Sequence, residues 1–172
     1  MTNPTESAES PDEHDPNAIE TEPSAEVSSD ASPSNPTPSR AIRPNGTELS
    51  RKLAAAAAQV ALDNNAQDVI VLDVCAQSAE FDFFVLATGS SRRQLHAISE
   101  QIDDRLEKDL GDRRMGIEGY DESRWIVLDY GSIVVHLFDD ETREYYDLES
   151  LWADGTEIPL SELGLTPNNS PE

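Results

Sequence analysis

The sequence of 172 residues holds a single cysteine, Cys75, which excludes an intrachain disulfide. That cysteine ends an apolar stretch, VIVLDVC, and reads as a small buried side chain rather than a nucleophile. No segment approaches the roughly 18 consecutive apolar residues of a membrane helix. The N-terminus carries acid and proline where a signal peptide needs positive charge and an apolar run. The first 39 residues contain no Lys or Arg, which disfavours a transit peptide. The expected location is the cytoplasm. Basic residues are scarce throughout, 12 against 35 acidic ones, for a net charge of −23. Broad contact with nucleic acid needs clustered Lys and Arg, so little direct contact is expected. An anionic membrane surface is excluded on the same ground. Histidine is also scarce. His14, His96 and His136 have no second His or Cys at metal-ligand spacing, and no metal or cofactor is expected.

Aromatic residues are missing from residues 1–46, which hold 8 of the 11 prolines, 8 serines and 4 threonines. Such a segment cannot bury enough apolar surface to offset the entropy of ordering, and it reads as a disordered acidic tail. It contributes −7 to the charge and residues 47–172 contribute −16. The folded part is therefore itself strongly acidic. That balance suits a basic protein partner, through attraction that speeds encounter and weakens with salt. Solubility alone is the plainer explanation.

What is present is one domain over about 47–155, with a flexible tail from 156 to 172. Pro44-Asn45-Gly46 is a breaker cluster, and Thr47 can cap a helix with Leu49, Leu53, Ala56 or Ala57, and Val60 on its buried side. Asn64-Asn65 is its stop. Val69–Val74 and Phe83–Ala87 are short, nearly continuous apolar runs and read as strands covered on both faces. A helix is predicted over Arg92–Leu110, with Leu95, Ile98, Ile102 and Leu106 as its stripe and Gly111 as its end. A short strand spans Arg114–Glu118. Trp125–Tyr130 and Ser132–Phe138 flank Gly131 as a hairpin. Asp139–Glu144 reads as a helical turn, and Asp147 caps a last short helix with Leu148, Leu151 and Trp152. The fold class is α/β (α+β), a mixed β-sheet of about five strands with flanking helices.

Three features invite chemistry. Gly89-Ser90-Ser91 lies between a strand and a helix, where free N–H groups can hold a phosphate. The turn lacks a Walker or dinucleotide-type glycine pattern, so a tight turn with a serine cap is the competing reading. Glycine followed by serine at a strand end also occurs in nucleotidyltransferases, which need paired carboxylates for two metal ions. No Asp-x-Asp follows here in a strand, and Asp103-Asp104 reads as a solvated face. Ser, His and acid are all present, but no nucleophile-elbow motif arranges them. The third feature is a surface: Trp125, Tyr130, Tyr145, Tyr146 and Trp152 fall within 28 residues. Trp and Tyr combine large area with one polar group and concentrate at interfaces, although they can equally fill a small core.

The blocks Leu72-Asp73-Val74, Phe83 to Arg92, Gly116 to Tyr120, Trp125 to His136 and Arg143 to Trp152 resemble, in order and spacing, the ribosomal silencing factor (RsfS, or Iojap) family. The likeness runs from about Leu49 to Trp152. It implies a nucleotidyltransferase-like core that lacks the catalytic carboxylates, and a protein not known for catalysis. It implies binding to the large ribosomal subunit, at the basic ribosomal protein conventionally numbered fourteen. Binding there blocks joining of the small subunit and represses translation. Organelle relatives act in large-subunit assembly, and free members are often homodimers. Carried over by motif, the contact residues are Trp125, Asp129, Tyr130 and Tyr146, with Glu118, His136 and Arg143 as further candidates. The acidic N-terminal tail and the Pro/Asn-rich C-terminus depart from the family core.

Overall fold

The computed structural model describes residues 44 to 166, so the tail expected over 1–46 lies almost wholly outside the described residues. Helix α1 spans Pro44–Asp63, three residues earlier than the expected start at Thr47. Its alanines Ala54, Ala57, Ala58 and Ala61 are fully buried with Leu53, because small side chains let the helix lie close on the sheet. Leu49, expected on that stripe, is 51% exposed instead. Asn65 turns the chain out of the helix in a left-handed conformation that asparagine tolerates better than most residues.

The sheet has six strands: β1 (Gln67–Asp73), β2 (Phe83–Thr88), β3 (Gly116–Glu118), β4 (Trp125–Asp129), β5 (Ile133–Phe138) and β6 (Thr156–Ile158). Their order in the sheet is β3-β4-β5-β2-β1-β6. Only β2 and β5 pair in parallel; the other neighbours are antiparallel. Helix α2 (Arg92–Leu110) forms the crossover from β2, capped by Ser91 Oγ, which accepts from Gln94 N. It buries the expected Leu95, Ile98, Ile102 and Leu106. Helices α3 (Asp140–Tyr146) and α4 (Leu148–Leu151) come after β5, and a 3-10 helix covers Leu160–Leu163.

The sixth strand corrects the reading of a tail frayed from residue 156. Thr156–Ile158 pairs with β1, and Ile158 and Leu165 are buried in the main core. Pro, Ser and Asn in this stretch hid a strand of three residues, too short to show a period.

Alternation sorts the side chains onto two faces. Val71, Val85, Ile126, Leu128, Ile133, Val135 and Leu137 point into the core beneath α1 and α2. Leu72, Phe84, Leu86, Val134 and Phe138 point the other way, with Leu148 and Trp152 over them. Among the described residues only short helices pack on that second face. Trp125 and Val127 of β4 therefore stay half-buried rather than enclosed.

Candidate functional site

The register of the β4–β5 pair builds the site. Trp125 at the start of β4 pairs with Phe138 at the end of β5, so both rings leave the same face. Their centroids stand 5.0 Å apart, nearly parallel at 26°. Tyr146, in the last turn of α3, lies against the same indole at 4.8 Å and 45°. Tyr145 meets Tyr146 edge-on at 5.0 Å. Tyr145 is 80% exposed and Tyr146 51%. The result is an aromatic shelf beside a hollow of about 430 Å³ whose walls include Glu122, Arg124 and Glu141.

Helix α3 is held in place for this role. Asp139 caps its N-terminus, with Oδ1 accepting from Thr142 N at 2.7 Å. Arg124 donates to Asp139 Oδ2 at 3.0 Å and to Glu141 at 2.5 Å. Burial works to raise the Asp139 pKa, but the Thr142 and Arg124 hydrogen bonds outweigh it and hold the carboxyl below its usual range. The opposite wall needs Gly119. Its φ is +68°, and a Cβ there would lie 1.9 Å from the Trp125 carbonyl oxygen. Only glycine permits that approach.

Behind Trp125 stands His136. Trp125 Nε1 donates to His136 Nδ1 at 3.3 Å. Indole nitrogen can only donate, so Nδ1 is the bare nitrogen and Nε2 carries the proton. His136 Nε2 is buried and finds no hydrogen-bond partner among the described residues. Burial pushes the His136 pKa down to about 4. The ring sits edge-on to Phe84 at 5.2 Å and 79°. A second hollow of about 260 Å³ lies over it, walled by Phe81, Phe84, Val127 and Val134 with Glu118 and Asp129 among its lining. Glu118 is exposed and Asp129 half-buried. Asp129 Oδ1 accepts from Gly131 N at 2.7 Å and so also shapes the hairpin turn.

Three expected contact residues lie elsewhere. Tyr130 follows β4 on the opposite parity from Trp125 and enters the core beneath the helices, only 4% exposed. Its hydroxyl donates to Asp103 Oδ1 at 2.5 Å. Burial, then the Asp103 bond, raises its pKa far above the ordinary phenol value. Asp103, read as part of a solvated face, is tied to Tyr130 and Arg114. His136 is a buried support, as described. Arg143 is a half-buried clamp. Its Nε and Nη2 donate to Glu149 at 2.9 and 2.6 Å, and Nη1 donates to the Asp68 carbonyl at 2.7 Å and Thr88 Oγ1 at 3.0 Å. Trp125, Tyr146, Glu118 and Asp129 are thus the expected residues left at the surface. Tyr145, Glu122 and Glu141 join them. Tyr145 adjoins Tyr146 on a helix of seven residues, where a short element cannot bury both rings. That was the available signal.

The chemical alternatives are filled by the chain itself. Ser90 N donates to Gln94 Oε1 at 2.7 Å and Ser91 Oγ accepts from Gln94 N at 3.2 Å. Gly89 N donates to the Phe138 carbonyl at 2.8 Å, and a Cβ on Gly89 would meet Leu95 at 2.5 Å. Gly89, Ser90 and Ser91 form a tight, self-satisfied turn, with the Gln94 amide where an anion would have to sit. His96 Nε2 and Ser123 Oγ do come within 2.5 Å, a meeting that no motif announces. Ser123 is buried and donates to the Tyr120 carbonyl at 2.8 Å, so this pair pins a loop and offers no accessible nucleophile. Among the described residues no group of three or more His, Cys, Asp or Glu is placed to hold a metal ion.

Comparison with known proteins bears on the same residues. A family model described as "Ribosomal silencing factor during starvation" matches residues 47–172. A Bacillus subtilis (strain 168) protein named ribosomal silencing factor RsfS is 38% identical over 117 residues, covering 68% of this chain and 93% of its own length. The mouse protein "Mitochondrial assembly of ribosomal large subunit protein 1" is 41% identical over 91 residues, covering 51% of this chain and 40% of its own. A crystal structure of a Chromobacterium violaceum protein superposes with a TM-score of 0.57 at 29% identity, covering 68% of this chain and 93% of that one. With the α/β fold, the whole folded span and the sequence all in agreement, the chain belongs to the ribosomal silencing factor (RsfS) family.

Proposed function

We propose that this protein binds the large ribosomal subunit through the Trp125 shelf and blocks its association with the small subunit, lowering translation. The partner on the subunit is the basic ribosomal protein conventionally numbered fourteen. The observation that carries this reading is the open aromatic pair Trp125–Tyr146 with Tyr145 beside it, on the face of the sheet that no long helix covers. Aromatic anchors of this kind supply most of the energy in protein interfaces. The carboxylates of Glu118, Glu122, Asp129 and Glu141 border the two hollows and would meet basic groups on a partner. The mechanism needs no catalysis. A folded domain seated on the subunit's joining face excludes the other subunit by volume, so inhibition follows occupancy. The protein acts in the cytoplasm, without a cofactor, and is homodimeric when free.

Large-subunit assembly is the second reading, favoured by the name of the mouse relative. Affinity separates the two. A silencing factor binds mature large subunits, whereas an assembly factor binds precursor particles and ignores mature ones. An enzymatic reading at Gly89-Ser90-Ser91 predicts a higher melting temperature with millimolar nucleotide and metal, since a bound ligand stabilises the fold by mass action. No shift is expected.

A further inference from the structure

The buried His136 carries a feature that packing alone does not require. Its Nε2–H is enclosed without a hydrogen-bond partner among the described residues, which is unfavourable, and an aliphatic side chain of similar size would avoid that cost. Its other nitrogen is used, as the acceptor for Trp125 Nε1 at 3.3 Å. The two residues sit on adjacent strands of the same face, since Val127 is the register partner of His136 and Trp125 that of Phe138. An indole stacked between Phe138 and Tyr146 by apolar contact alone can slide or turn in its plane. One directed bond to a residue fixed inside the sheet removes that freedom.

We propose that His136 is a positioning residue, whose neutral imidazole fixes the orientation of the Trp125 indole and so pre-forms the shelf for its ribosomal partner. This rests on the docking reading above. Pre-formed interface side chains lose less entropy on binding, so releasing the indole weakens docking without removing any contact atom. The same geometry makes the lock available only to the neutral ring, because a protonated imidazole has no acceptor. The charged groups lining the hollow over His136 are Glu118 from β3 and Asp129 from β4. Phe84 of β2 and Phe138 of β5 bring no charge, and Tyr146 of α3 reaches Trp125.

The test has two arms. The chain has two tryptophans, so Trp152→Phe leaves Trp125 as the sole reporter. In that protein, labelled with nitrogen-15, a through-hydrogen-bond coupling between Trp125 Nε1 and His136 Nδ1 is expected near neutral pH, and its absence overturns the proposal without any mutation at His136. In the second arm, His136→Leu keeps the apolar volume and removes the acceptor, while His136→Asn returns an oxygen near the position of Nδ1. Both are assayed by co-sedimentation with purified large subunits. The leucine variant should lose about tenfold in affinity, less than the loss expected on removing a hot-spot anchor itself, with a freely exchanging indole N–H. The asparagine variant should recover most of the affinity and the protected N–H. A folded leucine variant that binds like the parent overturns the proposal, as does a folded asparagine variant no better than leucine. If the parent itself fails to sediment, the docking reading falls. The nitrogen coupling, read without ribosomes, then shows that the lock existed and that its purpose was misassigned.

Discussion

Trp125 opens β4 and Tyr130 directly follows it, and the two face opposite sides of the sheet, which gives two substitutions opposite outcomes. Tyr130→Phe removes one of the two donors to Asp103 and leaves Arg114 in place, so it should cost about 1 kcal/mol of stability, a typical net hydrogen bond, and leave ribosome binding unchanged. Trp125→Ala should weaken binding by about 2 kcal/mol or more, as an interface anchor does. Its loss of stability should fall short of the about 3–5 kcal/mol expected for a fully enclosed tryptophan. Urea melts and co-sedimentation together decide both. His136 gives a pH prediction. In the unfolded chain it titrates near 6.5 and in the fold near 4, lowered by burial. As pH falls from 6.5 to 4 the unfolded state takes up a proton that the folded state refuses, so His136 lowers stability by about 1.4 kcal/mol per pH unit across that window and has no effect above it. The gap in stability between wild type and His136→Asn should narrow, or turn against wild type, over that window; a constant gap would contradict the assignment. At this scale the sequence was only half legible. Parity separated Trp125 from Tyr130, but it could not say which face lay open. That depends on which helices are long enough to cover a face. Arg143 likewise looked like a surface charge until Asp68, Thr88 and Glu149 were brought around it from three separate segments.

Among the elements, the strongly periodic ones were read with little error. Helix α2 has its serine cap, its four buried apolar residues and its terminal glycine where the pattern put them. Strands β2 and β5 follow apolar runs, and β4 ends one residue short of the run. Elements fixed by tertiary pairing were not readable. β6 has three residues and exists because β1 offers it an edge. Ending the chain after Gly155 would remove that strand and expose the sites of Ile158 and Leu165. Two such side chains are each worth about 1.5–3 kcal/mol when buried. The truncated protein should therefore lose several kcal/mol in a urea melt, and unchanged stability would show that β6 contributes nothing. The beginning of α1 at Pro44 is a similar case, since the breaker cluster at Pro44-Asn45-Gly46 marks the first turn of the helix rather than the linker before it.

Across the whole molecule the dominant quantity is charge, −16 over residues 47–172. Composition gave its size, but only the fold sets Glu122 and Glu141 beside the aromatic shelf and Glu118 at the hollow over His136. At the proposed docking site a basic ribosomal protein would attract this surface, while neighbouring RNA phosphate would repel it. Salt screens both, with a Debye length of about 8 Å at physiological ionic strength. Affinity for large subunits should therefore pass through a maximum as salt is raised, and a steady decline from low salt would remove the repulsive contribution. The account stands most directly on one measurement: sedimentation of purified large subunits with this protein, followed by addition of small subunits. The account predicts that the protein travels with the large subunit and that fewer joined ribosomes form, in proportion to occupancy, with Trp125→Ala restoring joining. Absence of co-migration across a range of salt, or binding that leaves joining untouched, would contradict it.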